Sequence, residues 1–463
     1  MADEAQTPRT EVPPYLSRGE RARLFPVLSE NSKEGRATSI FLSCLANIEE
    51  FGAAMMGSLE RRVGARTRIE AFTEIVFSNK DDNKDRPDGL ISLRMGNSSW
   101  AALVESKIGS QVLSDEQVLK YVDIARQHNI DAIVTISNQL TSSPFHSPVN
   151  IPKTKLRKVN IYHWSWMFIL TQAALLVGRD EIKDRDQKYI LAELVRFLSH
   201  ESTGIRGFSN MPKCWPNVVA SIKDGAALRS RAPEIRDIVL AWHQEQKDLT
   251  LIMSRILREY VSIRLSRAEE ADYEQRVKGD VEHFIKDHLL TLSLVIPNAA
   301  APIGIVADAK ARTLCASMKV VSSQERATAQ GRVSWLLRQL AKSEPEGVIV
   351  RAYWPGRAPA TQAPLADLRE DPSLILRDDK KMAPTSFEVS MVHHIGVNFG
   401  RSQNFIGELE RIAPVFYKQV GQYLQNWRPK APKVTESKST AEDVSPEAIQ
   451  SEFESEGSNE AQS

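Results

Sequence analysis

Three cysteines in 463 residues, Cys44, Cys214 and Cys315, are too few and too dispersed to make a disulfide framework or a zinc-ligand cluster. A reducing, cytoplasmic compartment is therefore the expectation. Charge of one sign is missing too. Sixty Lys and Arg offset 59 Asp and Glu to a formal net charge of +1, so no global field draws the chain to a polyanion. Nucleic-acid binding would need a local basic groove. The longest apolar run, near Trp164 to Val177, contains Ser165, Thr171 and Gln172 and is too short to span a bilayer, so no membrane role is expected. Met1 to Thr7 lacks the basic and apolar regions of a secretory signal. A G-x-S-x-G elbow is absent, as is a G-x-x-x-x-G-K-[ST] phosphate loop, which argues against a serine-hydrolase elbow and against a nucleotide-driven motor. What remains, 42% hydrophobic and 26% charged, suits a globular chain long enough for two or three domains.

Chemistry concentrates between Thr67 and Gln139. Arg86-Pro87-Asp88-Gly89 opens an extended segment, Leu90 to Leu93. A second apolar strand, Ala101 to Val104, ends in Glu105-Ser106-Lys107. Glu105 and Lys107 are two apart and project from one face of a strand. If the segments pair as a hairpin around Arg94 to Ser99, Asp88 comes beside Glu105, and two carboxylates and an ammonium share one site. Charges at the end of a buried strand are costly unless they bind something. This set suits an oxygen-ligated Mg²⁺ with a lysine near a reacting phosphate. A helix follows, capped by Ser114 and running from Asp115 to about His128, with Gln117 and Tyr121 stacked one turn apart. Ala132 to Ile136 reads as a buried strand, Thr67 to Phe77 as an earlier one, and Ile40 to Leu59 as a long preceding helix that Thr38 or Ser39 would cap.

Helix, three strands, helix, strand, with Pro87-Asp88, Glu105-x-Lys107 and Gln117-x-x-x-Tyr121, resembles the PD-(D/E)XK nuclease superfamily and its RecB-like members. The resemblance covers roughly residues 36–140. It implies an α/β fold with an αβββαβ restriction-endonuclease-like core. It also implies a Mg²⁺-dependent deoxyribonuclease in which Asp88 and Glu105 hold the metal, with Mn²⁺ able to substitute. Lys107 would orient or activate water, and Gln117 and Tyr121 would position the strand or the lysine. DNA is the family's default substrate, and a bacterial defence or repair setting follows from the family's habits alone. Family members often take a further acidic ligand from the first helix, which singles out Glu50. Glu74, on the first strand, is the alternative, and the spacing does not choose between them. A non-catalytic nucleic-acid-binding or assembly protein that kept the nuclease fold is the rival reading.

Glu-x-Lys alone is weak, since Glu105, Glu181, Glu245 and Glu436 each precede a lysine by two. Asp308-Ala309-Lys310 after a strand is a competitor without the upstream Pro-Asp or the downstream Gln-x-x-x-Tyr. The charged loop Ser78 to Arg86 would border the site or simply be solvated. Lys153, Lys155, Arg157 and Lys158 near Tyr162, Trp164 and Trp166 suit either a stacking groove or a strand and core helix. His163 carries no signal of its own. His393-His394 lacks evident metal partners, and Arg326, Arg332, Arg338, Arg351 and Arg357 are scattered. The expected organisation is a polar arm over residues 1–33, a nuclease-like domain with helical extension over 34–205, a separate α+β domain over 206–428 and a disordered acidic tail over 429–463. The second domain would bind the target, gate the site or build a homo-oligomer.

Overall fold

The computed structural model describes residues 13–26, 32–78, 86–96, 98–156, 158–228, 232–378 and 382–427. Most of the charged loop before Arg86, Arg157, the first residues of the arm and the acidic tail lie outside these. Among the described residues the chain is mixed α/β, with two sheets and 13 α-helices. Among these residues no single helix is long and apolar enough to cross a membrane.

The first sheet has six strands in sequential order: β1 (Leu16–Arg21), β2 (Thr67–Phe77), β3 (Gly89–Met95), β4 (Ser98–Ser106), β5 (Ala132–Ser137) and β6 (Asn160–Ser165). The first four pair antiparallel and the last three parallel. The β3–β4 hairpin closes at Met95 opposite Ser98, so Gly89 stands opposite Val104. β4 is buried from Ala102 through Ser106, as fits a strand covered on both faces. Helices α1 (Lys33–Asn47), α2 (Glu49–Gly57), α5 (Trp166–Gly178) and α6 (Arg185–Leu198) cover one face, where Ala71, Ile91, Leu93, Ala102, Val104, Val134 and Ile136 pack. Helix α3 (Asp115–Gln127) covers the other, over Phe72, Leu90, Leu103 and Ile133. The period of two places Asp88 and Glu105, in phase with Leu90 and Leu103, on the α3 face. A single turn of helix, α4 (Lys153–Leu156), precedes β6.

Two expectations give way here. Leu16–Arg21, read as part of a polar arm, is an edge strand bonded to β2. The long helix expected over Ile40 to Leu59 is two helices bent by 104° at Ile48, whose backbone is extended. Gly52 explains the fold-back, because an added Cβ would stand 2.6 Å from the Leu45 carbonyl oxygen and 2.7 Å from Ile69 Cδ1. The helix also starts earlier than Thr38 or Ser39 would set it, so both are buried inside α1 rather than capping it. Gly52→Ala is expected to destabilise the protein by about 1–3 kcal/mol in urea unfolding, because a backbone carbonyl cannot give way as a side-chain tip can. The better helix propensity of alanine offsets only about 1 kcal/mol of this.

The second sheet is antiparallel throughout, in the order β12-β11-β13-β10-β9-β8-β7. Its strands are β7 (Ser262–Ile263), β8 (Leu289–Val295), β9 (Ile303–Asp308), β10 (Thr313–Val321), β11 (Val348–Tyr353), β12 (Thr361–Pro364) and β13 (Ser386–His394). The remaining helices are α7 (Trp215–Lys223), α8 (Pro233–Leu257), α9 (Arg267–Ala271), α10 (Tyr273–Asp287), α11 (Ala329–Gln339), α12 (Leu365–Glu370) and α13 (Ser402–Gln419). β10 alternates buried Leu314, Ala316, Met318 and Val320 with more open neighbours, the mark of a sheet packed on one face. α9 and α10 are separated at Asp272, whose carboxylate accepts the Gln275 N–H and starts α10. Residues 204–212, which form no regular secondary structure, join the two halves, and α8 packs on α5, where Arg255 Nη1 donates to Thr171 Oγ1 at 2.6 Å.

Candidate functional site

β3 and β4 bring the sequence-predicted residues together at the end of the first sheet. Asp88 immediately precedes β3, and its Oδ2 accepts from the Ser106 backbone N–H at 2.7 Å and from Ser106 Oγ at 2.9 Å. That tie fixes the Pro-Asp turn to the last residue of β4. Glu105 Oε1 accepts from Lys107 Nζ at 2.5 Å and from Gln117 Nε2 at 2.8 Å. The other Gln117 amide hydrogen reaches the Tyr121 hydroxyl oxygen at 2.8 Å, and that hydroxyl donates to the Arg86 carbonyl at 3.2 Å. One connected network therefore joins the Arg86 end of β3, the Glu105 end of β4 and the first turns of α3. Tyr121→Phe, which removes both of these hydroxyl hydrogen bonds, is expected to lower any activity of this site by roughly 10–30-fold while the protein stays folded, as each hydrogen bond is worth about 1 kcal/mol. Circular dichroism with the cleavage assay below would check it.

Sequence reasoning missed Glu34. It lies in the first turn of α1, and its Oε1 accepts from Lys107 Nζ at 3.3 Å. Lys107 thus uses its three protons on Glu105, Glu34 and the Ser106 carbonyl. α1 is held at this point because Thr38 Oγ1 and Ser106 Oγ lie 2.6 Å apart. Of the two acidic candidates considered, Glu50 accepts the Lys183 N–H at 3.2 Å, at the loop before α6. Glu74 is exposed in a left-handed backbone conformation, and its charge reaches Asp88.

The electrostatics are those of carboxylates withdrawn from water beside one ammonium. Burial, and then the Asp88 charge, push the Glu105 carboxyl up to about 7. Burial raises Asp88 and Glu34 as well, against the pull of their hydrogen bonds and of Lys107. Burial opposes the charge on Lys107, but the Glu105 contact and the Asp88 and Glu34 charges outweigh it and raise its pKa. Glu105 Oε2 and Glu34 Oε2 are buried without a hydrogen-bond partner. An all-oxygen donor set with unsatisfied lone pairs fits a hard divalent cation such as Mg²⁺.

No family model, no curated protein and no solved structure matches this chain. The site therefore stands on its own geometry.

The competing motifs fall away on theirs. Asp308 Oδ1 accepts the Lys310 and Ala311 N–H groups and so caps the β9–β10 turn. Trp164 and Trp166 are buried, with indole N–H groups on Ser58 Oγ at 2.9 Å and the Lys107 carbonyl at 3.0 Å, so neither offers a stacking face. The second of these bonds anchors the backbone beneath Lys107. His393 Nε2 meets Glu408 Oε2 at 3.1 Å beside Arg411, an exposed ion cluster rather than a metal site. Arg332 binds the Arg326 and Pro384 carbonyls, and Arg351 binds Gln362, which commits both to the fold.

Proposed function

We propose that this chain is a metal-dependent nuclease of the PD-(D/E)XK kind, hydrolysing phosphodiester bonds of DNA, with its site at Asp88, Glu105 and Lys107. The observation that carries the reading is the single network in which Asp88, Glu105, Lys107, Gln117 and Tyr121 converge. It is supported by the order α1, α2, β2, β3, β4, α3, β5, which contains the αβββαβ succession of that superfamily with its first helix in two pieces. Asp88 and Glu105 would hold Mg²⁺, with Mn²⁺ as a substitute, while Glu34 reaches Lys107. When bound, the ion supplies the positive charge that polarises a phosphodiester and acidifies water at neutral pH.

The chain's own groups do the remaining work. The Ser106 N–H and hydroxyl hold Asp88 in one orientation. Gln117 holds Glu105 from the α3 side, and Tyr121 holds Gln117 in turn. Lys107 would offer its ammonium to the negative charge growing on a phosphate oxygen, worth more here than in water because the Lys107 side chain is only 14% exposed and that of Glu105 only 2%. Lys33 and Arg36 flank Glu34 on the first turns of α1, a source of local positive charge in a chain with almost no net charge.

The test is cleavage of plasmid, linear duplex, single-stranded DNA and RNA by the full chain in Mg²⁺, Mn²⁺ or EDTA. Metal-dependent cutting that EDTA abolishes is expected, with DNA preferred. A folded protein that binds DNA in this series without cutting it would favour the non-catalytic reading instead.

A further inference from the structure

A second carboxylate cluster lies away from the first sheet. Glu245 and Asp248 are one turn apart on α8, and Glu410 comes from α13, which packs against α8. One oxygen from each lies within 4.8 Å of the others, the one such acidic group among the described residues. Glu245 is 0% exposed, and neither of its carboxylate oxygens has a hydrogen-bond partner. Asp248 is 1% exposed, and its Oδ1 is unpartnered as well, while its Oδ2 accepts the Phe208 N–H at 2.5 Å. Three unsatisfied oxygens sealed inside a protein call for something to satisfy them, since a buried carboxylate without a partner costs several kcal/mol on the order of its lost hydration.

We propose that Glu245, Asp248 and Glu410 form an oxygen-ligand site for a divalent cation of the Mg²⁺, Mn²⁺ or Ca²⁺ class, which ties α13 to α8 and is independent of the nuclease reading.

Charge balance favours a divalent ion. Fully ionised, the three carboxylates carry three negative charges. The nearby Arg255 guanidinium, which acts on Asp248 and Glu410 but is hydrogen-bonded to Thr171, offsets one and leaves two. The donor set is oxygen alone, which selects hard cations over zinc or copper. Glu410 is half-buried whereas Glu245 is sealed, so an ion would enter past Glu410. The segment joining the two halves is anchored at the same place. A Cβ at Gly207 would collide with Asp248 Oδ2, so the backbone approaches that carboxylate as only glycine allows. Without a cation, burial raises all three carboxyls, Asp248 to about 6 and Glu410 to about 7, and repulsion from neighbouring carboxylates adds to it at Glu245 and Glu410. Shared protons are therefore the competing occupant, and the two make opposite demands on pH and on added metal.

The experiment uses the full chain carrying Asp88→Ala and Glu105→Ala, which removes the two carboxylates proposed to hold the metal of the first cluster. MnCl₂ is titrated at pH 8 with calorimetry and electron paramagnetic resonance, and Tm is compared in MnCl₂ and EDTA. About one bound Mn²⁺ per chain is expected, with a Tm several degrees higher than in EDTA. Adding Glu245→Gln should weaken binding at least tenfold and erase the Tm difference. Glu410→Gln, at the less buried position, makes the same demand if Glu245→Gln does not fold. Absence of bound Mn²⁺, or binding unchanged by both substitutions, would overturn the proposal. A Tm that rises from pH 8 to pH 5.5 and ignores Mn²⁺ would also overturn it and assign the triad to protons.

Discussion

Lys107→Ala and Asp88→Ala are each expected to reduce metal-dependent phosphodiester cleavage by at least about 10²–10³-fold, the cost of removing one preorganised charge-stabilising group from a site. The two losses should differ in kind. Asp88 Oδ2 is held by two donors from Ser106, so Asp88→Ala removes a fixed oxygen donor and should weaken the response to Mg²⁺ as well as the maximal rate. Lys107→Ala removes the one ammonium that offsets Glu105 and Glu34, leaving carboxylates whose negative charge still attracts a cation. Metal affinity should persist, or rise, while turnover falls. Lys107→Arg should not rescue, because the planar guanidinium cannot place three protons on Glu105, Glu34 and the Ser106 carbonyl as the ammonium does. Plasmid cleavage against Mg²⁺ concentration, with unfolding curves to establish that each variant is folded, separates these outcomes. Cutting that survives both alanine substitutions would remove the proposed site altogether.

The parts of the site closest in sequence were legible, because a β-hairpin and the helix after it are short-range constructions. Asp88, Glu105 and Lys107 needed only a two-residue period and one tight turn. Gln117 and Tyr121 needed only a helix whose Ser114 cap is plain in the sequence and which accepts the Gln117 N–H. Glu34 was lost for the opposite reason. It sits 73 residues before Lys107, and placing the helix start at Thr38 or Ser39 left it outside the element. The signal was present, since Glu34, Ala37, Thr38 and Phe41 continue the buried stripe of α1 at helical spacing. The bend at Ile48 was hidden because residues 40–59 keep an apolar pattern across it, and only the approach of Gly52 to Leu45 reveals that the pattern serves two faces. The acidic triad was half visible, as two carboxylates one turn apart on an otherwise buried helix face. Glu410, which completes it, is brought in by the packing of α13, which no local spacing encodes.

Stability should depend on pH through His163, which has no place in the proposed chemistry. The imidazole projects from β6 and is buried beside Thr135 of β5. Its Nε2 lies 2.9 Å from the Gln139 carbonyl, which can only accept, so Nε2 carries the proton and Nδ1, 3.0 Å from Thr135 Oγ1, is bare. Burial pushes its pKa down to about 4, against an unfolded value near 6.5. Above pH 6.5 the ring is neutral in both states and its contribution is fully present. Between pH 6.5 and 4 the unfolded chain takes up a proton that the folded chain refuses, so stability falls by about 1.4 kcal/mol per pH unit, to a total of about 3 kcal/mol. The raised carboxyls act with the opposite sign. Glu105 and Glu410, near 7, favour the folded state more as the pH falls through that value, so the whole-protein slope mixes both effects. The difference between wild type and His163→Gln isolates the ring. Urea unfolding at pH 7.5, 6 and 5 should show the gap between the two proteins closing by about 2 kcal/mol across this range, because the amide keeps a donor for Gln139 and cannot titrate. A gap that stays constant with pH would mean that the ring takes up its proton at the same pH in the folded and unfolded chains, and a gap that widens as the pH falls would mean that the imidazole is protonated in the folded protein.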